Sequence, residues 1–206
     1  MSGRDRFSEP RPARPSSQPP RPTDVVPCFS GTSVIDLLTS YRELVGDAVV
    51  ERSLTRLPAA MRERVDSLTA MSWLPVSDVT HLVDVISAEA RREPEELLDD
   101  AVRAATRRSF RTVWRVLLHF VSDEALVTRT PLIYSRSRNV GVLAARMVAP
   151  GQAELVLTQC PHSTDRHLRT LSVGVAEVMY LVGRRDVSIS FRRTLDGAVY
   201  LLRWKP

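Results

Sequence analysis

Apolar positions along this chain change period about two thirds of the way through. From residue 31 to about 130 they recur three and four apart, and from about 140 to 204 they mostly alternate. The first spacing puts side chains on one face of a helix, the second on one face of a strand. Val34, Ile35, Leu38, Tyr41 and Val45 predict a helix that Thr32 or Ser33 caps and Gly46 ends. Short helices are expected over 47–57 and 58–68. Ser72–Pro75 reads as a loop, followed by a helix presenting Val79, Leu82, Val83 and Ile86 on one face. Pro94 suits the first turn of the next helix, where its missing N–H costs nothing, and Glu95 and Glu96 complement the positive end of the dipole. That helical pattern runs to about Val121, with a break near Thr106 left open. A short helix around Asp123–Val127 and a connector through Pro131 close this half.

The last third is more sharply written. Gly141–Val148 reads as a strand, Pro150-Gly151 as a turn, and Ala153–Cys160 as the returning strand. Thr164 or Ser163 caps a helix carrying Leu168, Leu171, Val175, Met179 and Val182. Gly174 inside that helix implies a strand packed closely against it. Val187, Ile189 and Phe191 alternate with polar residues, Asp196-Gly197 marks a hairpin turn, and Tyr200, Leu202 and Trp204 alternate in the final strand. The expected fold class is α+β: an N-terminal helical half (31–130) packed with a C-terminal ββαββ antiparallel sheet unit (138–205), as one domain over 28–206. Residues 1–27 hold seven of the 14 prolines with many Arg and Ser. That composition cannot bury a core and reads as a disordered, solvating leader with polyproline II character.

Composition adjusts this picture only slightly. An apolar fraction of 43% in 206 residues is enough for a real core. No apolar run reaches the ~18 residues that suggest a membrane span, no secretory leader is seen, and with only Cys28 and Cys160 no disulfide scaffold is expected. Cytoplasmic is the expected location. The net charge of +5 invites a polyanion partner, but the leader supplies two of those five charges. The remaining surplus favours solubility over nucleic acid. Lys205 is the only lysine among 29 basic residues, an arginine bias expected of a high-GC bacterial gene.

The order of several short motifs resembles the haem-NO-binding-like and vinyl-4-reductase-like ligand-binding domains, and more narrowly an uncharacterised myxobacterial domain family. The motifs are Leu57-Pro58 with Met61–Arg64, Trp73–Val76, Asn139–Gly141, Ala153–Leu155, Gly174, Gly183 and the closing Tyr200–Trp204, together spanning about Gly31–Trp204. The resemblance implies a non-enzymatic sensory or adaptor domain with a pocket between helices and sheet. Its partner would be a small apolar ligand or another protein, and a homodimer stays open. The haem-binding members use a proximal His and a Tyr-x-Ser-x-Arg motif that clamps the propionates. Here Tyr134–Arg138 keeps the Tyr and the final Arg, but Arg136 stands at the Ser position. His119 lies only fifteen residues before Tyr134, and His81 is no better placed. No cofactor is therefore expected.

Candidate sites follow. Trp73, Trp114, His119 and Tyr134 are the candidate pocket lining, with plain core as the competing reading for the aromatics. Arg103, Arg107, Arg111 and Arg115 recur every four residues as a stripe. It could meet an acidic protein or phosphates, or be a solvated face paired to Asp99, Asp100 or Asp123. Cys160-Pro-His162 with His167 is the only cluster of soft ligands. It lacks an evident fourth metal ligand, and as a nucleophile it lacks an orienting group, so neither a metal nor an enzyme is expected.

Overall fold

The computed structural model describes residues 25–110 and 122–205. Their order is β1 (Cys28–Ser30), α1 (Gly31–Val45), α2 (Asp47–Thr55), α3 (Ala59–Asp66), β2 (Trp73–Pro75), α4 (Val76–Ala90) and α5 (Pro94–Ser109). Then come α6 (Asp123–Ser137), β3 (Val142–Ala149), β4 (Gln152–Thr158), α7 (Asp165–Leu181), β5 (Arg185–Thr194) and β6 (Gly197–Lys205). The fold is α+β, a helical half against a ββαββ unit. No helix among the described residues is long and apolar enough to cross a membrane.

The helical half has its own core. Val34, Leu38 and Tyr41 of α1 meet Val79, Leu82 and Ile86 of α4 and Leu97 and Ala101 of α5. The cap of α1 is Ser30, earlier than the sequence suggests: its hydroxyl accepts from the Ser33 N–H at 3.3 Å. The reason is pairing. Cys28–Ser30 forms a two-stranded antiparallel ribbon with Trp73–Pro75, so the expected 72–75 loop is mostly strand and the helix starts where the ribbon ends. Three residues on each side are too few for a readable alternation.

α6 also departs from the sequence expectation. The expected short helix and connector are one helix that runs through Pro131 to Ser137. Proline removes one ladder bond, but Ser122 caps the start of the helix by accepting from Ala125 N–H, and Leu126, Val127 and Tyr134 anchor it in the sheet core. Burial on both sides of the proline holds the helix together.

The sheet runs β3-β4-β6-β5, antiparallel throughout. Leu155 and Leu157 of β4 and Tyr200 and Leu202 of β6 point inward with Leu168 and Met179 of α7. The second hairpin turns at Leu195 and Asp196, one residue before the expected pair, with Gly197 already in β6 and paired to Thr194. Trp204 closes the core at 5% exposure and donates its Nε1–H to Asp123 at 3.0 Å. Gly174 faces α5 where a strand was expected. A Cβ there would lie 3.9 Å from Val102 and 4.0 Å from Thr106, ordinary contact distances.

Candidate functional site

The two cores do not merge completely. Between them lies a cavity of about 280 Å³. Val34, Val79 and Leu98 line it from the helical half, and Leu126, Val175 and Leu202 from the other. Its walls are mainly apolar. A ~150 Å³ apolar cavity holds benzene, so this one has room for a molecule about twice that size. Ser109 and Ile133, both exposed, also line it.

One part of the wall is polar. Tyr134 lies near the end of α6 and Arg138 caps that helix, one helical turn apart and on the same side. Tyr134 is 4% exposed and donates its hydroxyl to the Val140 carbonyl at 3.1 Å. Gly141 is held at φ 85°, and a Cβ there would sit 2.6 Å from that hydroxyl. Glycine at 141 is therefore what lets the chain turn beneath Tyr134. Burial raises the Tyr134 pKa well above the ordinary phenol value, so it stays a neutral donor.

Arg138 is half-buried as a residue, with its guanidinium under the ring of Phe29, 3.6 Å from the centroid. Its Nε–H donates to His167 Nε2 at 3.1 Å and its Nη1 to the Ser137 carbonyl at 3.0 Å. Among the described residues no carboxylate pairs with it, and burial draws its pKa down to about 10. Most neighbouring arginines differ. Arg166 reaches Asp84 and Glu95, Arg169 reaches Asp99, and Arg184 reaches Asp123. A desolvated guanidinium with no anion is costly. His167 is held neutral because burial, then the Arg138 charge, draws its pKa down to about 3.

The sequence candidates fall in separate places. Tyr134 is on the cavity wall. Trp73 sits on β2, 47% exposed, and is not on that wall. Trp114, His119, Arg111 and Arg115 lie outside the described residues. Arg103 reaches Asp99 and Asp100, and Arg107 spans to Glu177 of α7 at 2.6 Å. Cys160 is buried with Sγ 2.6 Å from Ser163 Oγ, and His162 is exposed. With His167, which also faces the cavity, they line an adjoining surface groove. No group of three or more His, Cys, Asp or Glu placed to hold a metal occurs among the described residues. The sequence reading did not single out Phe29, or Arg138 as a site on its own account. The four-residue spacing from Tyr134 to Arg138 was the available signal.

No protein-family model matches this sequence, and no curated protein sequence matches it. Solved structures do match its fold. An Fe(II) unliganded H-NOX protein from K. algicida superposes with a TM-score of 0.64 at 12% identity, over 86% of this chain and 97% of that one. An oxygen-binding H-NOX domain related to soluble guanylate cyclases gives 0.61 at 14%, over 86% and 95%. At these identities the likeness shows the fold alone. Its helical and sheet halves are those the resemblance implied, which makes this a distant H-NOX-like domain in structure.

Haem, which that fold implies, requires an axial ligand. Among the described residues His167 is the only imidazole on the cavity wall. Its Nε2 is taken by Arg138, a cation that opposes a second cation at the same ring. Arg136, at the position of the clamp serine, is exposed. The described residues do not fit haem.

Proposed function

We propose that this chain is a non-enzymatic sensory domain. It takes up a small apolar ligand ending in one acidic group, in the cavity between its two halves. The observation carrying the reading is Arg138, a desolvated cation that pairs with no carboxylate among the described residues, on the wall of an apolar cavity. Apolar walls supply affinity, and a few placed polar groups supply orientation. A carboxylate at Arg138 would supply the charge balance that Arg166, Arg169 and Arg184 already have, and guanidinium suits carboxylate geometry. The distant H-NOX-like fold supports a sensory role, with a different occupant.

Decanoate is a suitable probe, being about twice benzene in heavy atoms. Titration calorimetry should show decanoate binding more tightly than decanol. Arg138→Leu should erase that preference, weakening decanoate roughly ten- to a hundredfold, since a hydrogen bond to a charged group contributes ~1.5–3 kcal/mol. Native mass spectrometry of the purified protein should show a copurifying acid. Equal binding of decanoate and decanol, or no binding of either, contradicts the reading. The Arg103–Arg115 stripe as a binder of acidic partners gains no comparable support, because Arg103 and Arg107 are paired within the chain.

A further inference from the structure

The sheet has two faces, and the described helices cover one. α6 and α7 pack on the face that carries Leu155, Leu157, Tyr200 and Leu202. On the other face the strand register aligns Ala144, Val156 and Val199 in one row across β3, β4 and β6. Leu201 follows Val199 along β6. Val142 and Val148, 51% and 52% exposed, extend the apolar surface at the β3 edge. Val156, Val199 and Leu201 are only half-buried, and no described element lies over them. An antiparallel sheet face left to water usually reads polar. This one is apolar at its centre.

The charges around that centre are unbalanced. Arg146 pairs with Glu154, and Lys205 with Asp186. Arg192, opposite Val199 in the register, and Arg203, beyond Leu201, are exposed and make no ion pair among the described residues. The spacing fits a definite shape. Three adjacent strands make the row ~10 Å wide, close to the ~10–12 Å diameter of one helix with side chains. From Val199 to Arg203 along β6 is ~13 Å, slightly more than the ~11 Å of two helical turns.

We propose that this outer face docks an acidic amphipathic helix of a partner protein. Its apolar stripe would lie on Ala144, Val156, Val199 and Leu201, and carboxylates about two turns apart would meet Arg192 and Arg203. The charge complementarity selects an acidic partner over a basic one. This interface is on the opposite side of the sheet from the cavity and does not depend on what the cavity holds.

The test uses a synthetic helical peptide with a leucine stripe and glutamates two turns apart, and a control peptide with lysines at those positions. Binding is read by fluorescence anisotropy at low and high salt. The glutamate peptide should bind, the lysine peptide should not, and added salt should weaken the complex. Leu201→Asp and the fully surface change Arg203→Glu should each weaken it at least tenfold, with an unchanged circular dichroism spectrum for Arg203→Glu. Equal binding of both peptides, no binding of either, or insensitivity to Arg203→Glu overturns the proposal. A concentration-dependent dimer by sedimentation that Leu201→Asp abolishes also overturns it, assigning the face to a second copy.

Discussion

The two halves of this molecule build their interiors differently. The helical half is filled mainly by aliphatic side chains, with Leu82, Ile86 and Leu97 at 0% exposure. Two of its buried hydroxyls bond to their own helix, Ser40 to the Asp36 carbonyl and Ser53 to the Val49 carbonyl, while those of Tyr41 and Ser87 find no partner among the described residues. The sheet half buries more titratable groups, Tyr134, Cys160, His167, Glu177 and Tyr200, against Tyr41 and Asp99 in the helical half. Several gather where the halves meet, beside the cavity. The helical half thus supplies a mainly aliphatic wall, and the sheet half most of the polar chemistry. A site at the junction can draw on both.

The largest expected effect tests the wall. Leu82→Ala should lower stability by about 2–5 kcal/mol in denaturant unfolding, the usual cost of a truncated core leucine. A loss below about 1 kcal/mol would mean that this core is loose.

Second is the pH response of the sheet half. His167 titrates near 6.5 when unfolded and at about 3 when folded. The unfolded chain therefore takes up the proton first. The stabilisation from neutral His167 is full above 6.5 and is lost as pH falls toward 3, with a slope of up to about 1.4 kcal/mol per pH unit. Denaturation curves across that window should show the slope, and His167→Leu should flatten it.

Third, the seam between halves is partly ionic. Glu177 is 5% exposed on its side chain and meets Arg107, which is 60% exposed. Arg107→Ala leaves a buried carboxylate unpaired and should cost roughly 1–3 kcal/mol. Arg146→Ala breaks a solvated pair with Glu154 and should cost at most about 1 kcal/mol. The smallest effect has the opposite sign. The Tyr41 hydroxyl is fully buried and has no partner among the described residues, so Tyr41→Phe should be neutral or stabilise by about 1 kcal/mol.

The same contrast explains what was legible in the sequence. Helical periodicity named Val34, Leu38, Tyr41, Leu82 and Ile86 correctly because each buries on one face of one helix. Alternation named Tyr200, Leu202 and Trp204 for the corresponding reason. The β1–β2 ribbon was invisible because pairing between residues 28–30 and 73–75 leaves almost no local pattern. The continuity of α6 through Pro131 was missed because tertiary burial outweighs the local penalty. The site was only partly legible. Tyr134 and Arg138 were in view through the resemblance, but the packing of Phe29 and His167 on Arg138, where no described carboxylate reaches it, was not. No linear spacing encodes that.

If the cavity binds an acid in its ionised form, carbon-13 NMR of decanoate labelled at its carboxyl and bound to the protein reads this directly. Facing Arg138, the bound carboxyl should titrate below its value in water. A bound carboxyl that titrates above that value would mean that the acid is buried neutral and away from Arg138, and would contradict the account.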